Sequence, residues 1–382
     1  MLCASSFFFS SSFNMLIPEL PAYLSSMGGG AYKGYIIGLF TVTAAFSRPF
    51  SGRLTDTVGR VPVMIIGSLV CAVCSLLYPL LNTVLGFLFL RLLHGFSTGF
   101  KPTATAAYIA DVIPITRWGE AMGIHGLCFS TGLAIGPAIG GLITAHCSIN
   151  ILFYVSSLFA LLSIGILTNL KETHPDKQRF QPSHLKIKLA DVFEPLVLPA
   201  AIVTFLGYIS YGAMLTVIPD WSSHLGVANK GTFYVVFTLS SLLVRLLAGK
   251  LSDRKGRVYV LRIALVLVAV SLVMMGLAAS VAFLLTAAFF YGMGAGLLSP
   301  SVTVWTADLS DETRRGRGMA TMYIALEAGI GLGAMVAGWI FVDRLERVPV
   351  IFYACAAITI IGLGYLLVKW KAKTQPMPAL KE

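Results

Sequence analysis

The chain has 382 residues, of which 57% are hydrophobic and only 12% charged, and its mean hydropathy is +0.82. Soluble domains are nearer half apolar and a quarter charged, so this composition excludes a water-soluble globular fold. The net charge of +11 does not point to nucleic acid, because the basic residues are sorted by loop, as set out below.

A helix crosses the hydrocarbon layer in about 20 residues, and the apolar runs divide into roughly twelve such segments. They fall near residues 2–25, 34–53, 61–82, 84–108, 119–145, 149–170, 196–219, 231–251, 259–279, 281–306, 318–342 and 348–369. The ten-residue alternation of barrel strands is absent. The expectation is an all-α protein with 12 transmembrane helices in the lipid bilayer. Met1 leads straight into the first run with no basic region before it, so no cleaved signal peptide is expected. A short cytoplasmic tail is expected to precede Met1 in a longer version of the chain. The six cysteines (Cys3, Cys71, Cys74, Cys128, Cys147, Cys355) lie in or beside apolar segments and read as small packing residues, including the Cys71–Cys74 C-x-x-C.

Glu19 follows Pro18 near the end of the first span, either as a proton or substrate site or as a solvated rim residue. After the second span comes "GRLTDTVGRV", Gly52 to Val61, which returns as "GKLSDRKGRV", Gly249 to Val258, 197 residues later. The same offset carries Arg48 to Arg245, Asp111 to Asp308, Gly119 to Gly316, Met122 to Met319, Gly132 to Gly329, Gly136 to Gly333 and Gly141 to Gly338. With a shift of four, "IPE" at 17–19 meets "IPD" at 218–220. The chain therefore reads as one six-helix module written twice: 1–170, a polar cytoplasmic linker at 171–195, and 196–382 with a short tail. Six crossings return each half to its starting side, which makes the halves parallel, with a substrate site near the midplane between them.

Most Lys and Arg lie in alternate loops, around 53–60, 117, 171–188, 250–262 and 314–317, and in residues 369–381. The opposite loops hold only Lys33, Lys230, Arg344 and Arg347. This asymmetry places the central loop and the C-terminus in the cytoplasm of a multi-pass plasma (inner) membrane protein. The repeated hairpins then lie at that surface, where the fifth and eleventh helices also begin. Helix N-termini carry partial positive charge and unpaired N–H groups. Asp56 and Asp253 are expected to clasp the helix start of the facing half, at about 0.3–2 kcal/mol per contact. Gly52, Gly59, Gly249 and Gly256 would let the backbone turn and approach, and Arg60 and Arg257 would share the load with Asp111 and Asp308.

The repeated G-x-L-x-D-x-x-G-R loop resembles that of the major facilitator superfamily, and the resemblance covers essentially the whole chain. It implies two pseudo-twofold-related six-helix bundles, alternating access and a cytoplasmic latch. Arg91 to Gly95 is similar to the family's R-x-x-x-G in the fourth helix. Gly123, Gly132, Gly136, Pro137, Gly140 and Gly141 fit G-x8-G-x3-G-P-x-x-G-G, which marks the drug:proton antiporter branch. At these spacings glycines give flat surfaces for close helix contact, and proline a fixed bend.

An ionisable side chain at mid-bilayer costs about 2.5–3.5 kcal/mol or more, so each one is a functional candidate. Lys101 lies ten residues before Asp111, about 15 Å deep, and Glu327 sits at similar depth in the eleventh helix. In the superfamily those two helices can both face the central cavity, so Lys101 and Glu327 are expected to interact, with protonation of Glu327 weakening the pair. His94 shares a helix face with Lys101 and reads as a packing residue or as one that tunes it. Tyr208, Tyr211 and Trp305 are candidates for stacking on an amphipathic substrate.

"GFSTG", Gly95 to Gly99, matches G-x-S-x-G, but that chemistry needs a strand–turn–helix elbow and Ser97 lies inside a span. Neither H-E-x-x-H nor a phosphate-binding G-x4-G-K-[ST] occurs. The chain is therefore read as no enzyme, with no metal or cofactor, driven by an ion gradient. The leading reading is a monomeric proton-coupled antiporter exporting small organic molecules or drugs. The alternatives are an uptake symporter or facilitator for a small organic solute, anions included, and a polytopic membrane protein outside transport.

Overall fold

Backbone groups inside a bilayer have no water to bond, so an apolar run long enough to cross one must satisfy its own N–H and C=O groups as a helix. A computed structural model describes residues 1–114, 117–174, 178–186, 192–311 and 315–369, without the side chains at 118–120, 246–250, 253 and 315. Among the described residues there are thirteen α-helices and no strand. In the first half they are α1 (Leu2–Asn14), α2 (Leu20–Ser26), α3 (Lys33–Thr57), α4 (Arg60–Leu77), α5 (Val84–Val112), α6 (Trp118–His146) and α7 (Ile149–Leu167). In the second they are α8 (Leu198–His224), α9 (Gly231–Lys255), α10 (Arg257–Gly276), α11 (Val281–Leu309), α12 (Arg315–Phe341) and α13 (Val348–Lys369).

This is consistent with twelve crossings because α1 and α2 make one. The sequence led us to expect an unbroken first span over 2–25; the structure interrupts it at Met15–Glu19. Pro18 and Pro21 have no N–H to give the carbonyls four residues earlier. The turn is instead held by Ile17 N–H on Asn14 O at 3.2 Å and Glu19 N–H on Leu16 O at 3.0 Å. Among the described residues, eight helices are long and apolar enough to cross a membrane by length and composition. Phe46, Leu85, Leu158 and Ile361 project outward from the bundle, as lipid-facing side chains should.

Packing repeats between the halves. In the first, α1 lies on α6 and α7, α3 on α5, and α4 on α5 and α7. In the second, α8 lies on α12 and α13, α9 on α11, and α10 on α11 and α13. Two seams join the halves, α3 with α12 and α6 with α9, and exchanging the halves turns one seam into the other. The close contacts obey the same register. A Cβ at Gly95 would strike the Phe40 carbonyl oxygen, and one at Gly292 would strike that of Phe237. Gly132 and Gly136 lie against the backbone of Phe7 and Ser11, as Gly329 and Gly333 lie against Phe205 and Ile209.

The hairpins turn at Gly59 (φ +125°) and Gly256 (φ +89°), a backbone region that favours glycine. Beyond α7, Glu172 accepts the N–H groups of Arg60 and Val61 at 3.0 Å and so caps the start of α4. Burial pushes its pKa up, but the N–H donors of His174, Arg60, Val61 and Thr173 together hold it below the usual carboxylate range. The linker's other end reaches the second half, where the Glu194 N–H donates to Thr321 Oγ1 at 2.9 Å.

Gly95→Val should lower the melting temperature of the purified protein in detergent, since overpacking a close contact costs about 1–3 kcal/mol. Gly165→Ala, which meets no atom within 4 Å, should leave it unchanged or raised; equal melting of both variants would contradict the contact. Glu172 has a depressed pKa, so its cap is present above the ordinary carboxylate range and lost as pH falls through the folded value. Protection of the Arg60 and Val61 amides, taken relative to the intrinsic exchange rate at each pH, should therefore fall on acidification, and pH-independent protection would show that Glu172 is not the cap.

Candidate functional site

Between the halves lies a cavity of about 1130 Å³. Its deep end is lined by Asn14, Ile17, Ile37, Tyr211 and Leu215, and its mouth by Gly52, Arg53 and Asp56 of α3 with Gly316 of α12 and Val192 of the linker. It therefore opens on the face that carries the linker.

At the opposite face the seams are shut. Gly34 lies against the Ala334 carbonyl and Gly338, and Gly231 against Pro137 and its carbonyl. Both contacts follow the 197-residue register. Gly141, the counterpart of Gly338, meets the side chain of Asn229, and Gly140 meets the Met15 carbonyl. Ion pairs cover these contacts. Lys33 Nζ bonds Asp220 at 3.0 Å and Asp343 at 2.6 Å, and Lys230 Nζ bonds Glu19 at 3.1 Å. Lys33 and Lys230 are register partners, and Glu19 and Asp220 are the acids of the two Ile-Pro-acid triplets. Each half thus presents its acid to the lysine of the other. Lys33, Asp220 and Lys230 were not grouped from the residues alone, although the triplets and the offset contained the signal. Glu19 is mostly buried in its pair, so the solvated-rim reading fails.

Halfway down the α3–α12 seam, Arg48 Nη2 bonds Glu327 Oε1 at 2.6 Å across the cavity wall. The Arg48 guanidinium lies over the Tyr323 ring at 4.8 Å, and its Nε has no hydrogen-bond acceptor. The expected contact between Lys101 and Glu327 is not made. Lys101 faces inward within the first half, donating to Ser5 O at 3.0 Å, Ser5 Oγ at 2.9 Å and Ser163 Oγ, over the ring of Phe9. The reason is local: Ser5 of the serine-rich α1 and Ser163 of α7 lie where the Lys101 side chain points, and their oxygens take its ammonium donors.

Arg91 lines the cavity, donates to Ile36 O at 2.9 Å and to the Tyr78 hydroxyl at 3.5 Å, and lies 4.6 Å from the Phe40 ring centre. His94 bonds Tyr78 and Cys71 and not Lys101, which is a packing arrangement. Tyr211 lines the cavity and Tyr208 packs against it, ring centres 6.3 Å apart. Trp305 is instead buried in the core of the second half with Val203, Leu261 and Met322, so it is not a cavity aromatic in this conformation.

Asp56 is 73% exposed at the mouth and, among the described residues, bonds Arg60 of its own half at 3.3 Å, with no described contact onto the facing helix. Arg60 reaches Asp111 at 2.9 Å, and Arg257 reaches Asp308 at 3.2 Å. The side chain of Asp253 and the surroundings of Gly249 lie outside the described residues. Gly52, Gly123 and Gly256 face no atom within 4 Å, so close approach is not their role in this conformation.

A family model for the Major Facilitator Superfamily matches residues 2–226 and 200–381. The chain belongs to that superfamily and is a multi-pass membrane transporter of its fold. It is 30% identical over 383 residues to multidrug resistance protein 2 of Bacillus subtilis, with 96% of this chain and 93% of that one covered. It is 26% identical over 348 residues to the multi-drug resistance efflux pump PmrA of Streptococcus pneumoniae, covering 87% of each. Among solved structures, the human organic anion transporter MFSD10 superposes with a TM-score of 0.74 at 19% identity, covering 96% of this chain and 97% of that one. A POT family transporter in complex with 5-aminolevulinic acid gives 0.81 at 13%, covering 96% and 94%. At such identities these two show the fold alone.

Lys33→Met would leave Asp220 and Asp343 without their cation and should loosen the closed face. Spin labels on the α2–α3 and α12–α13 loops should report a longer or broader distance distribution. A distribution identical to wild type would mean that these ion pairs do not hold the face shut.

Proposed function

We propose that this chain is a proton-coupled antiporter that expels small organic molecules or drugs by alternating access. The face with the linker and C-terminus is cytoplasmic, the membrane is the plasma (inner) membrane, and the working unit is a monomer. Residues 1–170 and 196–382 are the two moving bodies, with 171–195 as the strap between them. The relatives named for multidrug resistance and the single glycine motif of α6 support export.

The observation that carries the reading is the Arg48–Glu327 pair, the one described ion pair that bridges the halves at the depth of the cavity. A carboxylate removed from water needs its cation, and neutralising either partner leaves the other uncompensated. Protonation of Glu327 releases Arg48 and loosens the α3–α12 seam; substrate arriving from the linker face favours the ionised pair. Proton and substrate therefore exclude one another, which is the condition for antiport. In the outward-open state Asp56 and Asp253 clasp the starts of α12 and α6, with Arg60, Asp111, Arg257 and Asp308 holding the hairpins. Glu19 serves the opposite gate. Arg91 and His94 shape the deep wall, and Lys101 stiffens the first half. Gly132, Gly136, Pro137, Gly140 and Gly141 keep α6 against α1 and α9, while Gly123, Gly52, Gly59, Gly249 and Gly256 lie nearer the moving hairpins.

In proteoliposomes, an inward pH gradient should drive rhodamine 6G outward from the side that bears the linker. Glu327→Gln should abolish gradient-driven movement, leaving dye binding within about threefold of wild type. Full gradient-driven transport by that variant would remove Glu327 from the coupling, and dye moving in the same direction as the protons would replace antiport with symport.

A further inference from the structure

The 197-residue register pairs Arg48 with Arg245 and Glu327 with Ser130. In space the two pairs are equivalent: Arg48 of α3 reaches Glu327 of α12, and Arg245 of α9 reaches Ser130 of α6. Their chemistry differs. The buried Nε of each arginine finds no acceptor, but Arg48 has a carboxylate at 2.6 Å, whereas Arg245 has a hydroxyl at 3.3 Å through Nη1. Among the described residues no carboxylate pairs with Arg245.

An uncompensated guanidinium at membrane depth is costly, and a hydroxyl at 3.3 Å returns little of its lost hydration. Arg245 and Ser130 lie beside the cavity wall rather than in it. Phe129 and Leu133, on either side of Ser130 along α6, line the cavity, as does Tyr211, and the Tyr208 and Tyr211 side chains lie within electrostatic reach of Arg245. Other cations near the cavity are already engaged. Arg91 holds a carbonyl, a hydroxyl and an aromatic face, and Lys101 is enclosed by Ser5 and Ser163.

We propose that Arg245 is the docking point for the anionic group of the substrate, and that the substrates include amphiphilic organic anions or zwitterions whose carboxylate or sulfonate takes the place that Glu327 holds beside Arg48. The apolar body of the ligand lies along Phe129, Leu133 and Tyr211. The duplicated module thus has two arginine positions with two uses, one closed by an internal acid that exchanges a proton, the other left open for the cargo. This rests on the export reading only in identifying the cavity as the substrate's path.

Carboxyfluorescein and rhodamine 6G share a xanthene ring system and carry opposite charge, so fluorescence polarisation with the purified full chain isolates the charge. Arg245→Gln should weaken carboxyfluorescein binding by about tenfold or more, equivalent to about 1.4 kcal/mol, and leave rhodamine 6G within about twofold. Arg245→Lys should keep most of the affinity for the anion. Ser130→Glu, which supplies the missing internal acid, should reproduce the selective loss. Retained rhodamine binding shows that each variant is folded. The proposal is overturned by a wild-type chain that does not bind carboxyfluorescein, by unchanged anion affinity in Arg245→Gln, or by equal loss of both dyes. Failure of the export reading would show separately, as rhodamine 6G that binds but does not move under a pH gradient.

Discussion

Everything in this fold hangs on two seams that must hold at one face of the membrane while standing apart at the other. They are built to do so reversibly. At the closed face the contacts are glycine against backbone, Gly34 on Ala334 and Gly338, and Gly231 on Pro137. Such contacts gain dispersion energy from close approach without side chains that must change rotamer when the surfaces separate. The ion pairs laid over them are partly exposed, with Asp343 half exposed and Asp220 one-fifth exposed. Lys33 and Glu19 are themselves largely buried, so desolvation offsets much of the attraction in each pair, which biases the closed face without locking it.

Symmetry explains the architecture, and the departures from it explain the chemistry. In the first half, α1 carries Ser5, Ser10, Ser11 and Ser12 on its buried side. Ser5 and Ser12 bond Ser163 and Ser156 of α7, and Ser10 bonds the Phe129 carbonyl of α6. A polar group in a bilayer must find its partners within the protein; Ser5, Ser10 and Ser12 do so and Ser5 also serves Lys101, while the buried Ser11 hydroxyl has no partner among the described residues. The matching stretch of α8 is mostly apolar, with Ser210 bonded to Tyr291. One half is thus stiffened by a hydrogen-bonded interior while the other has a larger hydrophobic core. The same kind of divergence turns the Arg48–Glu327 pair into the Arg245–Ser130 pair.

The linker ties the halves without fusing them. Glu172 caps α4 and Thr173 reaches Asp111 at 2.7 Å on the first half, and the residues before α8 bond Thr321 on the second. Both anchors sit at the face where the cavity opens, so the strap spans the moving mouth and its ends follow different bodies.

Much was legible in the residues. Twelve apolar runs, their charge asymmetry and the 197-residue repeat determined the helical crossings, the two halves and the hairpins at Gly59 and Gly256. These are properties of local composition and register, which a one-dimensional sequence carries directly. The broken first crossing was not read from the residues, although Pro18 and Pro21 lack the N–H donors that an unbroken helix needs there. What only the tertiary structure decided is which charges meet. Depth along a helix follows from counting residues, but azimuth depends on how each helix is rotated by its packing. That rotation turned Lys101 into the first half, sent Glu327 to Arg48, put Trp305 in the core, and set Glu19 and Asp220 against lysines of the facing half. Partners hundreds of residues apart are chosen by that rotation, and beyond the repeated triplets and the 197-residue offset no pattern in the chain encodes it.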